Sequence, residues 1–166
     1  DFFEDDPVPE TPPCFLHGGP REANIPGLNG IVSVATWHAA LRASATELSA
    51  ARGGRIDFQV EFPLSESGKG YAVLVSKSGP GPTVWRGLEV PLTLDAWSTI
   101  LFRNPPTGFH GGRGFLDQNG DALAFLTIPP GIALPMAGSS IWLAAVTGSG
   151  GQPRASSIAR EIRILP

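Results

Sequence analysis

Charged side chains are scarce in this sequence, because Asp, Glu, Lys and Arg make up only 16% of its 166 residues. There is a single cysteine, Cys14, so no disulfide can form within the chain and the paired cysteines of a zinc site are missing. No apolar run approaches the ~18 residues that a transmembrane helix needs, and we expect no transmembrane segment. The net charge is −3, and the lack of excess base argues against a nucleic-acid partner.

Catalytic and cofactor motifs are missing as well. Neither the nucleophile-elbow pattern G-x-S-x-G nor the phosphate-binding pattern G-x-x-x-x-G-K-[ST] occurs, and the three histidines stand too far apart for metal-ligand spacing. Asp117, Asn119 and Asp121 alternate as calcium ligands do, but Ala122 stands where an EF-hand needs glycine. We therefore predict no enzyme and no cofactor, and regard these three residues as a weak metal candidate beside a plain turn.

Glycine and proline are abundant, with 21 and 17 residues, while the hydrophobic fraction is 42%. This composition favours a turn-rich all-β protein with a real core. Residues 55–62 (RIDFQVEF) alternate apolar and polar side chains, so a half-buried strand is expected in which Glu61 faces water with the other polar residues. Further strand candidates are residues 30–37, 71–76, 88–94, 98–102, 108–116, 121–128, 141–147 and 155–165. The pattern predicts an antiparallel two-sheet sandwich, Ig-like or jelly-roll-like.

Residues 114–131 (GFLDQNGDALAFLTIPPG) predict a β-hairpin. Asn119 and Gly120 supply the positive φ angles of a tight turn, and Pro129 and Pro130 stop the ladder because neither has an N–H.

Two segments are harder to interpret. Residues 38–52 are Ala-rich with some helical spacing, but Ser and Thr interrupt the apolar stripe, so a helix and two short strands both remain open. Residues 155–165 mix charges with apolar residues and are predicted to form an edge strand.

The first 30 residues differ from the rest. Residues 1–10 contain five acids and no base, whereas residues 11–166 contain all 12 bases and the other 10 acids. Six prolines among residues 1–30 favour an extended backbone, and such a segment buries too little surface to fold alone. We predict an acidic Pro-rich arm at 1–30 and a β-sandwich domain at 31–166. The arm is expected to lie on its own body or on a neighbouring subunit, and its anchors are Phe2, Phe3, Asp5, Asp6, Val8, Phe15 and Leu16.

Six segments then follow in order: ATELSAARGGRIDFQVEF (45–62), GKGYAVLVSKSGPGP (68–82), LEVPLTLDAWS (88–98), GFLDQNGDALAFLTIPPG (114–131), MAGSSIWLAAV (136–146) and ASSIAREIRILP (155–166). Together they resemble a C-terminal domain common in exported planctomycete proteins. The resemblance implies a secreted β-sandwich, usually appended to other modules, and brings no activity with it. It also favours strands over a helix at residues 41–50. The chain departs from the family at Gln118, where a small residue is usual, and in its acidic arm.

The resulting hypothesis is an extracellular or cell-surface structural subunit that self-assembles into a filament, a surface layer or a larger complex. Loss of a signal peptide would explain a start at Asp1, and so would a truncation boundary. Cys14 would form an intermolecular bond, stay a free thiol, or pack as an inert side chain.

In this hypothesis the Phe side chains of the arm enter a hydrophobic groove of the acceptor, and its acids approach Arg160 or Arg163. The alternative is a carbohydrate-binding or adhesion module that stacks polysaccharide on Trp85 and Trp97.

Overall fold

The computed structural model describes residues 39–104 and 106–166, and these ranges form twelve strands and one α-helix, α1 (Ala96–Arg103). The strands are β1 (Ala40–Ala43), β2 (Glu47–Ser49), β3 (Gly54–Glu61), β4 (Gly70–Ser76), β5 (Thr83–Trp85), β6 (Leu88–Val90), β7 (Phe109–His110), β8 (Arg113–Phe115), β9 (Asp121–Ile128), β10 (Ser140–Ser149), β11 (Gln152–Ser156) and β12 (Arg160–Leu165). The prediction of an all-β protein is confirmed. The predicted arm and the predicted strand at 30–37 lie outside the described residues.

The strands form two large sheets and one small one. The first sheet has the order β1-β3-β9-β7, the second has the order β2-β12-β10-β4-β8 with β11 also paired to β10, and β5 pairs with β6 alone. All pairs are antiparallel except β2 with β12, which is parallel. No helix in the described part of the chain is long and apolar enough to cross a membrane.

The main hydrophobic core draws its side chains from both large sheets. Phe58 of β3 and Leu143 of β10 belong to it, and both are almost fully buried. A second cluster lies on the other face of β4 and β10, where Leu74 and Val146 belong to the same buried group as Val90 of β6. These two strands are therefore covered on both faces, as the continuous apolar run of residues 71–76 predicts.

The alternation in β3 is confirmed at Phe58 and its apolar neighbours, but the expectation that Glu61 faces water is wrong. Glu61 is buried, and its Oε2 lies 3.1 Å from Nη2 of Arg42 on the neighbouring β1. The Arg42 side chain covers the carboxylate, because Arg can lay its apolar stem on a sheet while its guanidinium pairs with an acid.

The predicted hairpin at residues 114–131 is wrong in its pairing, although its turn and returning strand are present. β8 pairs with β4 in the second sheet, whereas β9 pairs with β3 and β7 in the first. The turn is closed by the Asp117 N–H, which donates to Asp121 O at 2.9 Å, and Gly120 has a φ of +85°. The turn therefore carries the chain from one sheet to the other. Its sequence fits a tight turn but does not determine which strands pair.

The strand predicted at residues 98–102 is wrong, since these residues lie in α1. A reciprocal capping box starts the helix: Asp95 Oδ1 accepts the Ser98 N–H at 2.8 Å, and the Ser98 hydroxyl accepts the Asp95 N–H at 3.2 Å. The second carboxylate oxygen of Asp95 accepts the N–H groups of Lys77 at 2.9 Å and Ser78 at 3.1 Å. Burial alone would raise the pKa of Asp95, but these bonds together lower it to about 2.

Replacing Asp95 with alanine is expected to lower the free energy of unfolding by about 1–2 kcal/mol near neutral pH, the usual cost of a lost helix cap. The folded-state pKa is below the ordinary value of 3.8, so the carboxylate stabilises fully above that value and ceases to do so as pH falls through about 2. Urea denaturation of both proteins should show the difference shrinking between about pH 5 and about pH 2. An unchanged difference would contradict this role. The control is Asp57→Ala, which removes an exposed carboxylate whose hydrogen bonds within the described residues are to Arg55.

Residues 38–52 contain two short strands, β1 and β2, as the resemblance favoured. The predicted edge strand at 155–165 is instead divided between β11 and β12, and β12 lies inside its sheet between β2 and β10. The expectation of an edge strand is therefore wrong for β12, whereas β11 pairs only with β10 among the described strands. Ile162 and Ile164 are buried in the core while Arg163 is exposed, so β12 keeps the alternation of a half-buried strand.

Candidate docking cleft

An apolar cleft of about 670 Å³ lies between the two large sheets. Side chains from β4, β7, β9, β10, β12 and α1 line it, together with the turn that follows β9. Among the lining residues are Leu101, Phe109, Leu126, Met136, Ile141 and Leu143. A pocket of this volume and character is suited to an apolar side chain or ligand. We call it the docking cleft.

The local sequence explains why the first sheet ends at this cleft. Pro129 and Pro130 follow β9 and have no N–H to continue its ladder, and β7 pairs with β9 through two residues only. One further backbone bond, from the Thr127 N–H to Gly108 O at 2.8 Å, completes this side of β9. The β7 edge of the first sheet is thus very short. The rest of the cleft wall on this side is formed by α1 and the turn after β9.

The rim of the cleft exposes apolar side chains to solvent. Trp97 of α1 is 40% exposed and Ile132 of the turn after β9 is 68% exposed. The ammonium group of Lys77 lies 4.7 Å from the centre of the Trp97 ring, a cation–π contact, and Lys77 makes no ion pair within the described residues. The rim therefore combines exposed apolar surface with one positive charge.

The two arginines predicted as acceptor charges lie elsewhere. Arg163 is on the exposed face of β12, opposite the buried Ile164 that lines the cleft, and its Nη2 is 2.8 Å from Glu47 Oε1. Arg160 donates its Nε–H to Leu41 O at 2.8 Å. Both side chains already have partners within the chain.

Trp85 and Trp97, the predicted sugar-stacking pair, line different cavities. Trp85 belongs to a groove of about 420 Å³ formed with Arg86 and the glycine-rich turn between β10 and β11. Its ring packs edge-on against Phe102 at 6.1 Å, and Arg86 donates to Gly151 O at 2.7 Å. The structure does not bring the two tryptophans together into one platform.

The candidate metal residues are used by the turn itself. Asp117 Oδ1 accepts the N–H groups of Asn119 at 2.8 Å and Asp121 at 2.9 Å. Burial, and then the charges of Asp117 and Glu61, raise the pKa of Asp121. Between residues 39 and 166, leaving out residue 105, no group of three or more His, Cys, Asp or Glu is placed to hold a metal ion.

Two further features could not be located from the sequence. Glu66 is buried and binds Arg154 with both carboxylate oxygens while accepting the Thr147 hydroxyl at 3.0 Å, which ties the turn before β4 to β10 and β11. These partners are separated by 81 and 88 positions, so no local pattern announces them. The cleft is the other such feature, because its walls come from distant segments.

The predicted arm residues Phe2, Phe3, Asp5, Asp6, Val8, Phe15 and Leu16, and Cys14, lie outside the described residues. No protein-family model matches the chain, and no curated protein sequence matches it.

Proposed function

We propose that this protein is a non-enzymatic extracellular structural subunit that assembles by docking the N-terminal arm of one copy on the body of a neighbour. The observation that supports the proposal is the docking cleft, whose rim exposes Trp97 and Ile132. Contiguous apolar surface on a protein exterior marks an interaction site, because leaving it in water is unfavourable. The cleft supplies the hydrophobic groove that the apolar residues of the arm require.

An arm that leaves one subunit and enters the next makes a heterologous contact. Repetition of such a contact gives a ring if the rotation closes and an open filament if it does not. The protein would thus build a filament, a surface layer or a part of a larger complex outside the cell or on its surface.

Removing residues 1–30 is expected to abolish assembly and to leave the body folded. Light scattering over a range of protein concentrations would follow the mass of the full chain and of the shortened chain, and thermal unfolding would check that both are folded. We expect the mass of the full chain to grow with concentration, while the shortened chain keeps the mass of one copy. Equal growth in both proteins, or one-copy masses in both, would contradict the proposal.

We also propose that the two large sheets form an Ig-like or jelly-roll-like sandwich of the type found in exported planctomycete proteins. The support is the shared core, in which Phe58 of one sheet and Leu143 of the other belong to the same cluster. The six sequence segments that carry the resemblance contain the whole of β3, β4, β9 and β12 and most of β10.

Polysaccharide binding has less support than assembly. It would have to rely on Trp97 or Trp85 singly, because the two line separate cavities, and Trp85 is partly covered by Phe102. An insoluble-polysaccharide pull-down that retains the wild-type chain and releases a Trp97→Ala variant would favour it.

A further inference from the structure

We propose that the docking cleft of one copy binds the first six residues of a second copy, DFFEDD, with one of Phe2 and Phe3 in the cleft, the other on its rim and the following acids beside Lys77. This inference rests on the proposed function. It specifies which part of the arm binds and which part of the acceptor receives it. We call residues 1–6 the tip.

The shape and chemistry of the cleft fit the two aromatic residues of the tip. The cleft is apolar and about 670 Å³ in volume, and Phe2-Phe3 is the one place in the sequence where two aromatic residues are adjacent. Each Phe ring buries roughly 150–250 Å² when enclosed. Neighbouring side chains of an extended segment point to opposite sides, so one ring would enter the cleft and the other would lie on the rim beside Trp97 and Ile132.

The charges of the two partners are complementary. The tip carries Asp1, Glu4, Asp5 and Asp6 and no base, whereas residues 39–166 hold 11 bases and 9 acids. Lys77 is held over the Trp97 ring at the rim, and no acid of the described residues pairs with it. Acids that directly follow two Phe residues would reach this ammonium group as the rings enter the cleft. The pairing thus differs from the predicted one with Arg160 or Arg163, which already have partners.

The length of the arm allows the tip to reach a second copy. The Pro-rich stretch 7–30, if extended as its prolines favour, spans roughly 70 Å at about 3.1 Å per residue. A body of the size of residues 39–166 has a radius of gyration of about 14 Å and hence a diameter of roughly 35 Å. The arm is therefore long enough to carry the tip to a neighbouring body.

The start of the described chain lies away from the cleft. Ala40 of β1 pairs with Glu61 at the C-terminal end of β3, whereas Ile128 at the cleft pairs with Gly54 at the other end. The described chain thus begins, at Ala39, at the end of the first sheet that lies away from the cleft.

Two sets of variants of the full chain test this inference. The tip variant carries Phe2→Ser and Phe3→Ser, and the cleft variant carries Ile132→Asp. Leu123→Asp is the matched control, because Leu123 is also an exposed apolar residue, 77% exposed, and lies on β9 outside the cleft lining. Sedimentation should show that the tip and cleft variants each need at least roughly tenfold more protein to assemble, while the control stays within about twofold of wild type.

Mixing then decides whether the contact joins two copies. The cleft variant keeps an intact tip and the tip variant keeps an intact cleft, so an equimolar mixture should form a dimer that cannot grow further. A mixture in which both stay at the mass of one copy would overturn the inference. So would a tip variant that assembles like wild type; if a chain lacking residues 1–30 remained monomeric in that case, the proposed function would stand without this inference.

A charge exchange provides a test that does not disturb the apolar surface. Lys77→Glu should weaken assembly, and Asp5→Lys with Asp6→Lys in the same chain should restore it. Lys69→Glu is the control, since Lys69 is the other lysine and flanks the opposite end of β4 from Lys77. Equal weakening by both single changes, or no restoration, would contradict the pairing with Lys77.

Discussion

Replacing Phe58 with alanine is expected to lower the free energy of unfolding by about 4 kcal/mol. Phe58 is 1% exposed, and its ring packs edge-on against Phe109 with 6.3 Å between centroids. The substitution removes the transfer free energy of the ring and leaves a cavity that the surrounding core fills only in part. Chemical denaturation with urea would measure the change.

Phe115→Ala is the matched control for this prediction, because Phe115 is also on a strand but is 78% exposed. It should change the free energy of unfolding by no more than about 0.5 kcal/mol. Equal effects of the two substitutions would show that Phe58 does not occupy the shared core.

Replacing Gly120 with alanine is expected to cost about 3 kcal/mol, the second large effect. The φ of Gly120 is +85°, and a Cβ there would lie 2.4 Å from Phe62 O, a backbone atom that cannot rotate away. The Phe62 N–H also donates to Gly120 O at 2.9 Å, so displacing the turn breaks the bond that joins it to the end of β3. Left-handed backbone strain and this displacement act together.

Gly68→Ala separates the two causes. Gly68 has a φ of +69° but has no atom within 4 Å of its Cβ position, so it should show the backbone cost alone, about 1 kcal/mol. Thermal and urea unfolding of both variants would measure the difference. If Gly120→Ala were as mild as Gly68→Ala, the contact between the turn and Phe62 would be contradicted.

The elements that could be predicted from the sequence are those set by local pattern. The period-two alternation of residues 55–62 and the continuous apolar run at 71–76 both correspond to strands. Burial of one face of a strand produces the alternation, and burial of both faces produces the continuous run. Residues 121–128 form the predicted returning strand, with Ala124 buried and Leu123 exposed as the alternation requires.

The wrong predictions concern features that depend on contacts between distant segments or on a cap signal that local strand propensity obscures. The turn at Asp117 to Asp121 suits a hairpin, but β8 and β9 each find a partner in a different sheet. The β-branched residues Thr99 and Ile100 favour a strand, yet the capping box of Asp95 and Ser98 starts a helix. That box is a sequence signal, and attention to it would have found α1.

For the cleft, the sequence predicts that a groove exists but not where it lies. The need for a hydrophobic acceptor groove follows from the apolar residues of the arm, whereas its location depends on Trp97, Ile132 and Ile164, which come from widely separated parts of the chain. Only packing of both sheets with α1 brings them together. The position of Lys77 over Trp97 is likewise a tertiary contact, which explains why the sequence pointed to Arg160 and Arg163 instead.

A photo-crosslink from the tip would test the central claim most directly. A benzophenone amino acid would replace Phe3 in a mixture of isotope-labelled and unlabelled full chains, and mass spectrometry would identify the crosslinked residues after irradiation. The account predicts crosslinks between differently labelled chains, from position 3 to residues of the cleft such as Ile132 and Met136. Crosslinks confined to a single chain, or directed to the exposed face of β9 around Leu123, would contradict it.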